Sequence, residues 1–226
     1  MVLTHYNTRK IPMLNDSTLR HKWKANLLQF LDPLGGAVSK PVHKLTQEVV
    51  YGALSSGSLR LSAIGRSLQE PHNLHQTEKR LSRMLGNHAA LSDQAEALQI
   101  SQAGAHLTSG MILAIDPGDL RRDGAAQSEY RARVRDGSTG ECVGGYPLIS
   151  VVARDIKTGR SQPMLTRLHS STHPGYSSEN TEILGVMDAV KANLPATAPK
   201  PFWVMDRGGD RGRLWQTWLD AGDAVC

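Results

Sequence analysis

Cysteine is almost missing from this chain: Cys142 and Cys226 are the only two in 226 residues. Two thiols make neither a disulfide framework nor a zinc site, and a reducing cytoplasm is the expected setting. No apolar run approaches the roughly 20 residues that span a bilayer. The opening MVLTHYNTRKIPMLND has no apolar signal-peptide core. There are no internal repeats, no low-complexity tract and no clustered Cys/His ligands. Gly208-Gly209 fits neither a P-loop nor a GxGxxG fingerprint. What is present is a globular composition, 39% hydrophobic and 21% charged, long enough for one large domain or two small ones.

Charge is unevenly spread. Residues 1–100 carry 12 basic and 7 acidic side chains, so the whole net charge of +5 lies there, with six of the nine histidines. The remaining 126 residues hold 14 of each sign. Excess positive charge favours polyanions through counterion release, although a plain solvated basic surface reads the same way.

The first half has helical period. Trp23, Leu27, Leu28 and Leu31 form one stripe, ended by Pro33 and Gly35-Gly36. Leu45, Val49 and Leu54 form a second segment, closed by Ser55-Ser56-Gly57. Leu59, Leu61, Ile64 and Leu68 form a third, closed before Pro71. Thr77 is the candidate N-cap of KRLSRML, and Leu91 to Ile100 forms a last segment. Short helices with tight turns predict a helix-turn-helix-like bundle. Lys79, Arg80 and Arg83 lie on or near one helical face, suited to DNA phosphates or merely to a basic outer face.

At Met111 the period changes. MILAID, PLISVVARD (Pro147 to Asp155), QPMLTRLHS (Gln162 to Ser170) and FWVMD read as four strands. A helix over Glu179 to Asn193 separates the third from the fourth, and a helix with Leu214, Trp215, Trp218 and Leu219 follows. Three strands joined by hairpins, then helix, strand, helix, predict an α/β domain with a mixed sheet. The domains are thus a helical region over 1–105 and an α/β core over 106–226.

Two strands end in aspartate, at Asp116 and Asp206. If their strands are neighbours, the carboxylates emerge together and repel each other, a conflict that a divalent cation relieves. Hard oxygen ligands indicate Mg²⁺ or Mn²⁺, and such ions support phosphodiester cleavage. Alone, each aspartate has a plain structural reading: DPGD makes a good type I turn, and Asp206 could cap the next helix. His169 and His173, flanking SST, read as ordinary surface histidines or as a loop near the metal. Trp215 and Trp218 read as core rather than a base-stacking platform. Arg121, Arg122, Arg131, Arg133 and Arg135 crowd the connection after Asp116, where they could grip DNA or solubilise a hairpin.

LAIDPGDL, STGECVGGYPLISVVARD, QPMLTRLHSS and WVMDRGGDRGRLWQTWLDAG, in this order and spacing, resemble the DDE transposases of bacterial insertion sequences, the insertion-sequence-four type. RSLQEPHNLHQTEKRLSRMLGN also resembles the helical DNA-binding region in front of such cores. The resemblance covers roughly residues 42–226. It implies an RNase H-like mixed sheet flanked by helices, preceded by an all-α DNA-binding region. It implies Asp116 and Asp206 as catalytic metal ligands, with Arg207-Gly208 as the Arg-Gly that follows the second acid. Lys79, Arg80, Arg83, Arg121, Arg122 and Arg207 are the candidate DNA contacts. The partners implied are duplex DNA, as transposon ends and target, and a second copy as a candidate homodimer, with no membrane. The family's third acid, a glutamate in a Tyr-Arg-Glu-Lys signature, matches no residue here, so the chain reads as a truncated transposase, inactive alone. The alternatives are a catalytically inactive DNA-binding relative and an RNase H-like nuclease.

Overall fold

The computed structural model describes residues 17–88, 90–122, 128–206, 211–222 and 224–225. Among them are seven helices and a six-stranded mixed sheet. The chain divides into two compact units, one up to Gln94 and one from Ala95. The boundary falls inside a helix, α5 (Ala90–Gly104), eleven residues before the expected one after residue 105. Leu91, near its start, packs in the first unit's core, while Ile100 and Ala103 pack in the second's.

The first unit is helical: α1 (Ser17–Gly35), α2 (Lys40–Ser56), α3 (Leu61–Leu68) and α4 (Leu74–Asn87). Leu45, Ile64 and Leu81, one from each of α2, α3 and α4, form a buried cluster, lined by Val49, Leu61, Leu68 and Met84. Leu45/Val49 and Ile64/Leu68 are the i, i+4 pairs that the periodicity predicts, but Leu54 and Leu59, expected in the same stripes, are exposed, and Leu59 precedes α3. α1 does not end at Pro33 as expected but runs two residues further, to Gly35, although Pro33 has no N–H to donate to the carbonyl four residues before it. Thr77 is not the cap of α4. Asn73 fills that role, its Oδ1 accepting from the His75 N–H at 2.9 Å. Capping one turn earlier brings Leu74 into the helix and leaves Thr77 buried within it, donating to Glu70 Oε2 at 2.7 Å.

The second unit begins its sheet with β1 (Met111–Arg121). Then follow β2 (Ala132–Arg135), β3 (Cys142–Asp155), β4 (Ser161–Leu168), α6 (Glu179–Asn193), β5 (Phe202–Met205), α7 (Gly212–Asp220) and β6 (Ala224–Val225). In space the strands run β4, β3, β1, β5, β6. β3 runs antiparallel to its two neighbours, β1 and β4; β5 runs parallel to β1, and β6 parallel to β5. β2 pairs with the first residues of β3, on the edge that β4 takes further along.

The hairpins β2–β3 and β3–β4 turn through the same sequence device, Asp-x-x-Thr-Gly. Asp136 and Asp155 each accept backbone N–H bonds from the next residues, and Gly140 and Gly159 take φ of 74° and 70°, a region open to glycine. α6 spans the expected residues, with Ser178 as N-cap, accepting from the Thr181 N–H.

Except for Met164, which sits at the bulge of β4 and is buried in the same core, the buried strand residues of the main core share one face of the sheet by register. Leu113, Ile115, Ile149, Val151, Ala153, Leu165 and Trp203 pack there against Ile100, Ile183, Val186, Met187, Val190, Leu214 and Trp218 of α5, α6 and α7. Trp218 is core, and Trp215 packs on it edge-to-face at 5.4 Å. The opposite face carries Asp116, Thr166 and Phe202, all exposed.

Candidate metal and nucleic-acid site

β1 does not end at Asp116. It runs five residues further, to Arg121, so DPGD is strand and not a type I turn. The cause is non-local: β3 offers a partner to every residue as far as Arg121↔Gly145. Pro117 is tolerated for a definable reason. The Arg122 N–H donates to the Gly144 carbonyl, so even-numbered residues of β1 occupy hydrogen-bonded pairs with β3. Pro117, opposite Ile149, therefore turns its missing N–H to the other edge, which β5 has left after Met205.

The parallel register of β1 and β5 is Leu113↔Trp203, Ala114↔Val204 and Ile115↔Met205. The residues that come next on the two strands are Asp116 and Asp206. Neighbouring strands lie about 4.8 Å apart, and residues level with each other across a pair share a face. The two aspartates thus stand side by side on the face opposite α5, α6 and α7, and both are exposed. The adjacency of their strands, a condition in the sequence reading, is a feature of the fold.

The same rung continues to the far edge of the sheet. Asp116 pairs with Ser150, and Ser150 with Thr166, their hydroxyls 3.3 Å apart. Asp206, Asp116, Ser150 and Thr166 form one polar row across four neighbouring strands. Ser150 and Thr166 carried no sequence signal, since only the register brings them level with an aspartate. Among the described residues no group of three or more His, Cys, Asp or Glu side chains is arranged to hold a metal ion. The carboxylate pair offers two ligands, with hydroxyls beside them.

The candidate DNA contacts differ among themselves. Lys79 and Arg83 are exposed, one turn apart on α4. Arg80 is not an open cation: it pairs with Glu48 at 2.6 Å and with Glu70 at 2.8 Å, tying α4 to α2 and to the α3–α4 turn. The Thr77 hydroxyl, followed by Arg80, holds the Glu70 carboxyl below its ordinary value despite the opposing pull of burial. Arg121 turns to the helix-covered side, where it pairs with Asp136 at 2.8 Å. Arg122, one residue on, faces the same side as Asp116 and is exposed. Arg207 lies outside the described residues.

His169 and His173 do not join the carboxylates. The His169 N–H bonds the Pro147 carbonyl, and Pro147 pairs with Asp119, three residues along β1 from Asp116. The His169 ring stacks on Tyr176, and the His173 ring meets Tyr130 edge-on.

No protein-family model matches this chain, and no curated protein is significantly similar to it.

Proposed function

We propose that this chain is a DDE-type transposase of the insertion-sequence kind, with an RNase H-like core and a helical DNA-binding region. The observation that carries the reading is the β1–β5 register, which aligns Asp116 with Asp206 on an open face. The strand order β4, β3, β1, β5, β6, antiparallel on one side of β1 and parallel on the other, supports the RNase H-like assignment. Helices between β4 and β5 and between β5 and β6 support it further.

The residues present fit a divalent ion. Two carboxylates one strand spacing apart are hard oxygen donors, the kind that Mg²⁺ and Mn²⁺ take. When bound, such ions activate a water or 3′-hydroxyl and offset charge at the scissile phosphate. Asp116 and Asp206 hold the ligand oxygens rigidly, one within a strand and one at a strand end. Ser150 and Thr166 extend the polar row on which a phosphate can rest. Lys79 and Arg83 contact duplex phosphates from the helical unit, and Arg122, on the same side of β1 as Asp116, contacts them from the sheet unit; Arg207, next to Asp206 in the sequence, is a further phosphate contact. The partners are duplex DNA and a second copy of the chain, in the cytoplasm. The third acid of the family is not assigned to any residue here.

Calorimetric titration with Mn²⁺ tests this reading. The wild type should bind weakly, and Asp116→Asn and Asp206→Asn should each abolish binding. Each substitution should also stabilise the metal-free protein slightly, because it removes like-charge repulsion. Three identical titrations would sink the paired-carboxylate site.

A further inference from the structure

The three-stranded end formed by β2, the start of β3 and the end of β1 separates its charges by face. Arg133 pairs across with Gly144, and Arg135 with Cys142. Arg122 meets the same Gly144 from the other side, through its N–H. Residues level across an antiparallel pair share a face, so Arg122, Arg133 and Arg135 project together. Continuing the β2 register by one residue sets Arg131 opposite Tyr146, on that face too. Ala132, Val134 and Asp136 alternate to the other side, where Asp136 neutralises Arg121.

Gly144 is the floor of this arginine face. A Cβ built there would stand 1.8 Å from Arg131 Nη2, so the Arg131 guanidinium lies flat over the backbone where any side chain would block it. Arg131, Arg133, Cys142 and Gly144 line a shallow trough of about 340 Å³. Among the described residues no carboxylate pairs with Arg122, Arg133 or Arg135. Arg133 spends one N–H on the Cys142 carbonyl at 3.3 Å and keeps the rest of its fork.

The face is continuous with the carboxylate pair. Asp116, Gly118, Leu120 and Arg122 follow one another on the same side of β1. At about 3.3 Å per residue, six residues set Arg122 about 20 Å from Asp116. Along β2, residues two apart rise about 6.7 Å, close to the rise of two nucleotides along a duplex, about 6.8 Å.

We propose that this arginine face is a docking surface for the phosphate backbone of duplex DNA, gripping the flank of the segment that reaches Asp116 and Asp206. The inference rests on the transposase reading for what happens at the carboxylates, but the contact itself needs only the arginine face. Arginine suits the task because its planar fork takes phosphate oxygens in pairs and holds its charge. Base contacts are not part of the proposal. Strand arginines at this spacing position a duplex without reading it.

The test uses the whole chain and a fluorescein-labelled 30-base-pair duplex at several salt concentrations. Arg133→Ala/Arg135→Ala should weaken binding by on the order of tenfold or more at 0.1 M salt, and should flatten the salt slope by about 1.8, at about 0.9 per lost phosphate contact. Lys157→Ala/Arg160→Ala removes the same charge at the β3–β4 turn and should change binding less than twofold. Both pairs are repeated in a Lys79→Ala/Arg83→Ala background, so that the helical unit cannot mask a loss. Arg133→Lys/Arg135→Lys should recover part of the affinity, which a merely misfolded arm would not. The proposal is overturned if the alanine pair binds within twofold of wild type in both backgrounds, or if the turn control loses as much. Mn²⁺ titration of the arm variants should match the wild type. If DNA binding depends on the arm while no form takes up Mn²⁺, the carboxylate reading fails and the docking surface stands. The reverse result leaves the metal pair and removes the surface.

Discussion

The two units carry their charge in opposite ways. The helical unit has the sequence's entire positive excess, yet its arginine nearest the core, Arg80, is bound by Glu48 and Glu70 and serves cohesion. The sheet unit is close to neutral, yet it sorts its charges across the two faces of one three-stranded end. Net charge along a chain therefore says little about where a polyanion can land. A helix spreads its residues around a circle, so a cation close to the buried stripe is captured by neighbouring elements. A strand alternates sides at every residue, so Arg121 and Arg122 go to different environments, one to Asp136 and one to the open face.

The largest expected effects test the difference in core size. Among the described residues, the sheet unit buries sixteen in one cluster, and the central cluster of the helical unit buries three. Leu81→Ala and Ile149→Ala each delete a fully buried aliphatic side chain and should cost about 2–5 kcal/mol. The larger fractional loss should fall on the helical unit, which has less apolar burial to spare. Denaturant unfolding followed by tryptophan fluorescence checks this. If Leu81→Ala is tolerated better than Ile149→Ala, the smaller core is not the weaker one.

Next in size is Arg80. Arg80→Ala leaves two partly buried carboxylates facing each other without their cation. After allowance for solvent screening it should cost about 1–2 kcal/mol. Arg80→Lys should recover only part, because one ammonium cannot reproduce a fork shared between two acids. Duplex binding should change much less than in Lys79→Ala/Arg83→Ala. If loss of Arg80 weakens DNA binding without loss of stability, its role is at the DNA surface after all.

What could be read from the sequence follows the range of the interactions involved. α6 was legible to the residue, since a Ser cap, an apolar stripe and a Leu-Pro ending are all local. The composition of β4, β5 and the Pro147–Asp155 part of β3 was local too, whereas the start of β3 at Cys142 was not read, since it becomes strand only against β2 and the end of β1. The extension of β1 was hidden, because Asp-Pro-Gly-Asp has the local chemistry of a turn and only pairing with β3 overrides it. β2 was missed because ARVR is four residues long and half charged, and it becomes a strand only against Val143 and Gly144. Asp116 and Asp206 could be named as the ends of apolar runs. Their adjacency needed the order of the sheet, and so did the hydroxyls of Ser150 and Thr166. Asn73 was not read as the cap of α4, because Thr77 has the same local chemistry and only its burial against Glu70 shows that it lies inside the helix.

The smallest expected effect contrasts the two Asp-x-x-Thr-Gly turns. Asp136 accepts from the Ser138 hydroxyl, from Arg121 and from the Ser138 backbone N–H, and these, in that order, hold its carboxyl far below the ordinary 3.8. Asp155 is lowered chiefly by the backbone N–H and hydroxyl of Thr158, with no arginine partner. A depressed carboxylate contributes stability where the unfolded chain would also be ionised, above about pH 4, and loses it as pH falls from there toward the folded-state value. Asp136→Asn should therefore lower the Tm at neutral pH, and its gap from the wild type should close as the pH falls below about 4. Asp155→Asn should show the same shape with a smaller gap. Ser138→Ala should remove more of the acid-dependent part than Arg121→Ala, because the hydroxyl is the larger cause. Since Arg121 faces away from the arginine surface, Asp136→Asn should leave duplex binding unchanged. Thermal melts of the wild type and these variants from pH 2 to 7 are the measurement. A gap that stays constant with pH would show that Asp136 acts through turn geometry alone, and a drop in duplex binding would break the separation of faces on which the comparison rests.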